Sequence, residues 1–343
     1  MKAAVCSRYG PPEVVQIKDV EKPIPKDNEV LIEVRAASVN PLDGGSMKGR
    51  PYVVRIMTGL RKPKITRPGV DLAGRVEAFG REVTQFKPGD EVFGVCVSDP
   101  QASGTAVWAH RQGSFAEYVC APESTLVIKP DNVTFEQAAS VPVAAFTALQ
   151  GLRDKGQIQP GQKVLINGAA GGVGTLAVQI AKSFGAEITG VCSTRNADMV
   201  RSIGADHVID YTQEDFTNRG QRYDLIFDCV GNHSLSACRR ALNPKGRYIM
   251  VGDLSGRGMI SLLARLTAAL TLSPFVSQAL VTFLARPNKG DLIVMHDLMK
   301  AGKVRPVIDK SYRLSEVPEA IRYLEQRHAR GKVVITLEVS NTV

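Results

Sequence analysis

The run Gly168-Ala169-Ala170-Gly171-Gly172-Val173-Gly174 has the residue types and spacing to hold a phosphate. Backbone without a Cβ passes close to phosphate oxygens, and a helix opening just after it aims free N–H groups and a positive dipole end at them. Ala170, Gly171, Gly172 and Val173 are therefore expected to line the pyrophosphate of a dinucleotide, and Gly174 to let the new helix pack tightly on the preceding strand. Ala169 stands where the first glycine of G-x-G-x-x-G would be, so the pattern is A-x-G-x-x-G. A tight turn without a ligand is the alternative. A cofactor of this kind implies hydride transfer.

The flanks support the nucleotide. An apolar strand (Val164 to Ile166) enters the turn, a helix leaves it, and a second apolar strand (Ile188 to Cys192) follows. This is the βαβ unit of dinucleotide folds, in which an acidic residue about 20 positions past the glycines holds the ribose 2′-hydroxyl of NAD. Here that stretch reads Cys192, Ser193, Thr194, Arg195, Asn196. Two hydroxyls and a guanidinium suit a 2′-phosphate, so the expected cofactor is NADPH. A solvated Arg195, with Ser193 and Thr194 capping the next helix, is the alternative.

Other chemistry finds less support. The five histidines show no metal-ligand spacing, and no Ser, His and Asp arrangement suggests hydrolysis. The six cysteines are scattered without a C-x-x-C pair, which reads as thiols of a reducing compartment and points to the cytoplasm. The N-terminal MKAAVCSRYG lacks an apolar run of signal-peptide length, so export is not expected. The net charge of +9 is partly local: seven basic residues and no acidic one lie between Asp43 and Asp71. Such a stretch can be a solvated loop or can face an anionic partner, but without interleaved aromatics a nucleic-acid role is not expected. Met259 to Val276 is apolar, yet it carries Arg265 and falls short of a spanning helix. A pocket or interface helix is favoured there over a membrane-surface helix.

The elements that must position these residues fall into two sets. Short strand signals separated by Pro and Gly fill residues 1–127, at Val30 to Val34, Gly74 to Glu77, the turn and strand of Phe86 to Gly94, and Gly113 to Val119. They suggest a barrel-like β domain. Helical periodicity begins near Phe135 and runs to Leu152. Strands at 163–167, 187–192, 206–209, 223–228 and 246–251 then alternate with helices at 172–184, 196–203 and 233–242, with Gln278 to Leu284 as a further edge strand. That alternation predicts a doubly wound parallel sheet. Beyond residue 302, a strand at Val304 to Ile308, a helix at Ser315 to Gln326 and a strand at Lys332 to Leu337 are expected to fold back onto the first domain.

Several strings resemble the medium-chain dehydrogenase/reductase superfamily, in the right order over essentially the whole chain: ASVNPLD (Ala37 to Asp43), PGVDLAGRVEAFG (Pro68 to Gly80), FKPGDEVFG, GSFAEYV, FTALQGL, NGAAGGVG and GKVVI (Gly331 to Ile335). The branch most resembled is that of the zinc-independent quinone oxidoreductases of the zeta-crystallin type. The resemblance implies an α/β protein with a GroES-like β-barrel catalytic domain (residues 1–127 and 302–343) and an inserted Rossmann NADPH-binding domain (128–301), with the active site between them, and a homodimer. It also implies that no metal is used. Where zinc-dependent relatives place a Cys and a His-Glu pair, this chain has NPLD and GVD, and two carboxylates alone do not make a three-ligand set.

The same resemblance places Thr147 near the nicotinamide end, Val230 and Gly231 beside the nicotinamide ribose, Tyr211 at the adenosine end and Lys332 on a cofactor phosphate. Half-buried packing of Tyr211 and a solvated Lys332 are the alternatives. Asn40 and Tyr52 are the candidate catalytic groups, as donors to charge growing on the reduced oxygen; for Asn40, which precedes Pro41, satisfying loop backbone groups is the alternative. The expected reaction is hydride transfer from NADPH to a small electron acceptor, a quinone or an α,β-unsaturated carbonyl. An enoyl-thioester reductase, or a non-catalytic NADPH- or RNA-binding protein, is the rival reading.

Overall fold

A computed structural model of the chain describes residues 1–49, 55, 59–64, 66–97, 113–251 and 277–337. Tyr52 and the segment Met259 to Val276 lie outside the described residues. The chain divides into two compact units: Met1–Val143, Arg286–Gly302 and Pro306–Val343 form the first, and Ala144–Ala285 with Lys303–Arg305 the second.

The first unit begins with β1 (Lys2–Cys6) and β2 (Val15–Asp19), an antiparallel pair that the sequence pattern did not reveal. The strands β3 (Glu29–Val39), β4 (Asp71–Phe79), β5 (Glu91–Val95), β6 (Tyr118–Pro122) and β7 (Leu126–Ile128) follow. The second unit supplies β8 (Lys163–Asn167), β9 (Glu187–Cys192), β10 (His207–Asp210), β11 (Tyr223–Asp228), β12 (Leu242–Met250) and β13 (Ala279–Thr282). The tail adds β14 (Ile308–Arg313) and β15 (Lys332–Thr336) to the first unit.

The tail therefore does fold back. The larger sheet of the first unit runs β14-β15-β3-β4-β5-β7, with β6 also on β3. β15 pairs antiparallel with β3, Ile335 opposite Ala37, so β15 lies inside the sheet. One difference from expectation lies at Val304 to Ile308, where the strand starts only at Ile308. Pro306 has no N–H to give a ladder, and the amide of Arg305 instead donates to Gln179 Oε1 at 2.7 Å. Alternating residues of β3, β4 and β15 (Ile32, Val34, Leu72, Val76, Val333, Ile335) form the apolar core with Phe115 and Leu126.

The single helix expected from Phe135 to Leu152 is broken. Thr134 and Gln137 close a capping box that starts α2 (Phe135–Ala139), α1 being Pro41–Lys48. Pro142, which cannot donate to the preceding turn, restarts the chain as α3 (Pro142–Leu149), continued by a π-helical turn over Gln150–Lys155. α2 thus belongs to the first unit, and so does the unanticipated helix Lys289–Lys300. The unit edges differ accordingly from those expected at residues 127 and 302.

The second unit is a parallel sheet in the order β10-β9-β8-β11-β12-β13. Its central strands are buried throughout (Val164, Leu165, Ile166, Leu225, Ile226, Phe227), as a sheet covered on both faces requires. The chain winds outward from β8 to β10, then returns to lay β11 on the other side of β8. The carboxyl ends of β8 and β11 mark the switch point where open α/β sheets bind ligands.

Ile335 is fully buried. Truncation to Ala should cost about 2–5 kcal/mol in urea denaturation of the whole chain; a loss below about 1 kcal/mol would show that β15 is peripheral.

Candidate functional site

At the end of β8 the chain turns through Gly168, at φ +85°. The amides of Gly168 and Ala169 donate to Val191 O at 3.2 and 3.0 Å, tying the turn to β9. The helix Gly172–Ser183 starts at once, with Gly171 as its N-cap and no side chain capping it. A Cβ on Gly174 would lie 2.1 Å from Gly168 O, so only glycine lets the helix rise this close to the turn. At Gly171 the backbone is ordinary (φ −82°) and a Cβ would meet only Gly168 O, at 3.5 Å. Glycine is therefore not required there by a Cβ clash or by the backbone angle, and what its missing side chain leaves open is the space before the helix N-terminus. Gly171, Gly172 and Val173 are half-buried there, and Ala170 is buried behind them. This cradle of small residues and outward amides fits a dinucleotide pyrophosphate.

Across the switch point, β11 ends in Asp228, a residue the sequence reading missed. It is fully buried. Its Oδ1 accepts from Asn167 Nδ2 (2.8 Å), Val230 N (2.9 Å) and Gly231 N (2.8 Å), and its Oδ2 from Tyr248 Oη (2.6 Å). One carboxylate thus joins the residue before the glycine turn to the turn expected at the nicotinamide ribose. Gly231 takes φ +72° in that turn, and Val230 packs against Gly168 closely enough that a Cβ there would be 2.8 Å from Val230 Cγ2. A buried Asp closing a parallel strand was the available signal.

At the end of β9, Ser193 is half-buried, while Thr194, Arg195 and Tyr211 are exposed. Ser193 Oγ accepts from Asn196 Nδ2 at 3.2 Å, and Thr194 Oγ1 donates to Asp210 Oδ2. Tyr211 is 57% exposed, which differs from the half-buried packing alternative. Thr147 is half-buried on α3.

The first unit holds a second polar cluster, around Asn40, Asp43, Asp71 and Lys332, all buried. Asp71 Oδ2 accepts from Ser38 Oγ (2.7 Å) and Asn40 Nδ2 (2.9 Å), and Asp71 Oδ1 from Val143 N (3.0 Å). Asp43 Oδ2 accepts from Asn40 N at 2.7 Å and Asp43 Oδ1 from Gly69 N at 3.2 Å. Lys332 Nζ donates to Asn40 Oδ1 at 2.7 Å and lies 3.5 Å from Asp71 Oδ2. The other amide proton of Asn40 goes to Ser38 O at 3.3 Å. Both protons of the Asn40 amide are spent inward, which differs from an outward donor. The Lys332 ammonium, on a residue 5% exposed, is likewise turned into the cluster, which differs from the solvated alternative.

Burial pushes the Asp43 carboxyl up to about 7; the Asn40 amide and Lys332 oppose the shift, and the Asp71 charge adds to it. Burial also lowers the pKa of Lys332, against the pull of Asp71 and Asp43. Cys96 stays a thiol, its pKa raised by burial, with Sγ donating toward Val70 O at 3.3 Å. Zinc needs three deprotonated donors converging on one point. Here Asp71 is engaged by four hydrogen-bond partners and Asp43 by backbone amides, while a lysine ammonium already serves as the cluster's cation. These residues do not fit a zinc ion, and among the described residues no group of three His, Cys, Asp or Glu could hold one.

A doubly wound sheet with a glycine-rich first turn, in one chain with a mainly antiparallel unit that the chain's own tail completes, defines a two-part dehydrogenase/reductase. Residues 26–131 match the alcohol dehydrogenase GroES-like domain, and residues 203–335 match the family described as zinc-binding dehydrogenase. The chain is 35% identical to the chloroplastic NADPH-dependent alkenal/one oxidoreductase of Arabidopsis thaliana, over 98% of this chain and 79% of that one. It is 32% identical to the quinone oxidoreductase of Homo sapiens, over 98% of each. The solved quinone oxidoreductase of Coxiella burnetii superposes with a TM-score of 0.83 at 31% identity, over 98% of this chain and 99% of that chain. This chain belongs to the medium-chain dehydrogenase/reductase superfamily.

A carboxyl whose pKa rises on folding stabilises the native state while protonated, and that contribution fades as pH rises to the folded value. Asp43 should make the protein lose stability between about pH 4 and its folded value of about 7. The measurement is the difference in unfolding free energy between wild type and Asp43→Asn across that window. It should vary with pH through the window and level off above it; a difference constant from pH 4 to 8 would contradict the assignment.

Proposed function

We propose that the chain is an NADPH-dependent reductase of quinones or α,β-unsaturated carbonyls that works without a metal ion. The observation that carries this reading is the cradle at the switch point, open before the helix N-terminus where Gly171 has no steric reason to be glycine. The names of the relatives, an NADPH-dependent alkenal/one oxidoreductase and a quinone oxidoreductase, agree with it.

In this reading Ala170, Gly171, Gly172 and Val173 hold the pyrophosphate through backbone amides. Val230 and Gly231 shape the nicotinamide-ribose side, with Asp228 behind them. Thr147 lies at the nicotinamide end, and Ser193, Arg195 and Tyr211 take the adenosine end. The bound nucleotide supplies a hydride to an electron-poor carbon. Asn40, whose amide protons go to Asp71 and Ser38, is not taken as the donor to the reduced oxygen. Tyr52 is the remaining candidate donor to the reduced oxygen. Without a Lewis acid, simple alcohol oxidation is disfavoured, and an acceptor that takes hydride readily is required.

The partner is a small molecule, not a nucleic acid. Among the described residues no helix is long and apolar enough to cross a membrane. The six cysteines are free, five of them buried, which suits the reducing cytoplasm. A homodimer is the assembly we infer. β13 ends the order of the parallel sheet, and Leu284 just past it is 69% exposed.

Following NADPH oxidation with an alkenal, a quinone and an enoyl-CoA in turn tests the reading. Turnover of the first two, unchanged by a chelator, is expected; activity lost to chelation and restored by zinc would contradict it. Arg195→Ala should raise the KM for NADPH roughly tenfold, the size of one charge-assisted hydrogen bond, with kcat little changed.

A further inference from the structure

β10 lies parallel to β9, with Asp210 in register with Cys192. The residue closing β10 therefore reaches the level at which a dinucleotide fold carries its ribose-binding acid, but from the neighbouring strand. Asp210 Oδ2 accepts from Thr194 Oγ1 and, at 3.2 Å, from Gln213 Nε2. Its Oδ1 accepts from Thr212 N at 2.9 Å and Thr212 Oγ1 at 2.7 Å. The hydrogen bond from Thr194 leads the interactions that hold the Asp210 carboxyl below the usual range, so it stays charged.

This pairing decides what Thr194 can offer. A hydroxyl has one proton; that of Thr194 goes to Asp210 in the shorter of its two contacts, the other being Thr212 Oγ1 at 3.2 Å, whose own proton goes to Asp210 Oδ1. Its oxygen is left as an acceptor next to a negative charge. Such a group suits the 2′-hydroxyl of an unphosphorylated ribose and repels a 2′-phosphate. The residues on either side have the opposite character. Ser193 Oγ accepts from Asn196 and keeps its own proton to donate, and Arg195 carries a guanidinium. One short turn thus carries both a phosphate-binding and a hydroxyl-accepting chemistry.

We propose that Asp210 sets cofactor choice: with Thr194 it forms a hydroxyl-accepting subsite beside the phosphate-binding residues Ser193 and Arg195, so that the enzyme uses NADH as well as NADPH. The inference rests on the reductase reading above. It assigns Asp210 as a specificity-determining residue at a position the linear sequence does not mark, since the chain between Cys192 and Asp210 passes through a helix and back.

The experiment is to measure kcat/KM for NADPH and for NADH, with one alkenal acceptor, in wild type, Asp210→Asn and Thr194→Val. Wild type should turn over both nucleotides. Asp210→Asn should raise the NADPH-to-NADH ratio about fivefold or more, and this gain should shrink at high salt because it is partly a charge effect. Thr194→Val, which leaves the Asp210 charge in place, should lower kcat/KM for NADH more than that for NADPH. Asp210 lies at the surface end of its strand, and equal melting temperatures will show that both variants fold. A wild type that ignores NADH, or a ratio that moves less than about twofold in both variants, would overturn the proposal while NADPH turnover stands. Failure of either nucleotide to bind or react would overturn the reductase reading with it.

Discussion

The structure depends most on a lack of space. The carbonyl of Gly168 and the first turn of the helix Gly172–Ser183 approach so closely that no side chain fits at Gly174. Gly190, on β9, is similarly confined, since a Cβ there would meet Val200 Cγ1 at 2.6 Å and Ala169 Cβ at 3.1 Å. Pressed between these neighbours, the turn has one course. It delivers the helix N-terminus to the carboxyl end of β8 with its amides facing outward. Asp228 fixes the opposite wall by gathering Asn167, Val230 and Gly231 on one oxygen. The site is thus shaped by close packing and buried hydrogen bonds.

The first unit solves a different problem. Asp43 and Asp71 are buried within one cluster, and two buried carboxylates need compensation. The ammonium of Lys332, brought to β3 by the returning tail, supplies it. The cation is therefore part of the chain, and it reaches the cluster only if β15 is in register with β3. The register of the tail strand and the organisation of the polar cluster are thus linked. Removing Lys332 would leave two acids buried with hydroxyl, backbone and amide donors alone, a costlier defect than loss of a surface ion pair.

Much of this was legible in the sequence where the signal is local. The glycine turn, β8, β9 and β11 lie where the alternation of apolar runs and turns put them, because strands buried on both faces read as continuous apolar runs. β1 and β2 were missed: Val15–Asp19 ends in exposed Lys18 and Asp19, and its pairing with Lys2–Cys6 is set by contacts far along the chain. The helix Lys289–Lys300 was missed because its apolar positions are interrupted by charged residues. At the site, Asn40 and Lys332 were found as residues, but their engagement was not. Whether an amide or an ammonium faces outward depends on partners 31 and 292 positions away. Asp228 and Asp210 have the same explanation, since each acquires its role from strand order and not from neighbours in sequence.

The central claim is that the space before the helix N-terminus exists for a dinucleotide pyrophosphate. Gly171→Asp tests it most directly, because an aspartate suits a helix N-cap and its Cβ would meet only Gly168 O, at 3.5 Å, yet it sets a carboxylate where the phosphates belong. Calorimetric titration of wild type and variant with NADPH should show binding by the first and at least a hundredfold weaker binding by the second, with the variant's melting temperature equal or higher. Equal affinity in the two proteins would mean that the nucleotide does not lie in the cradle, and the account would fail.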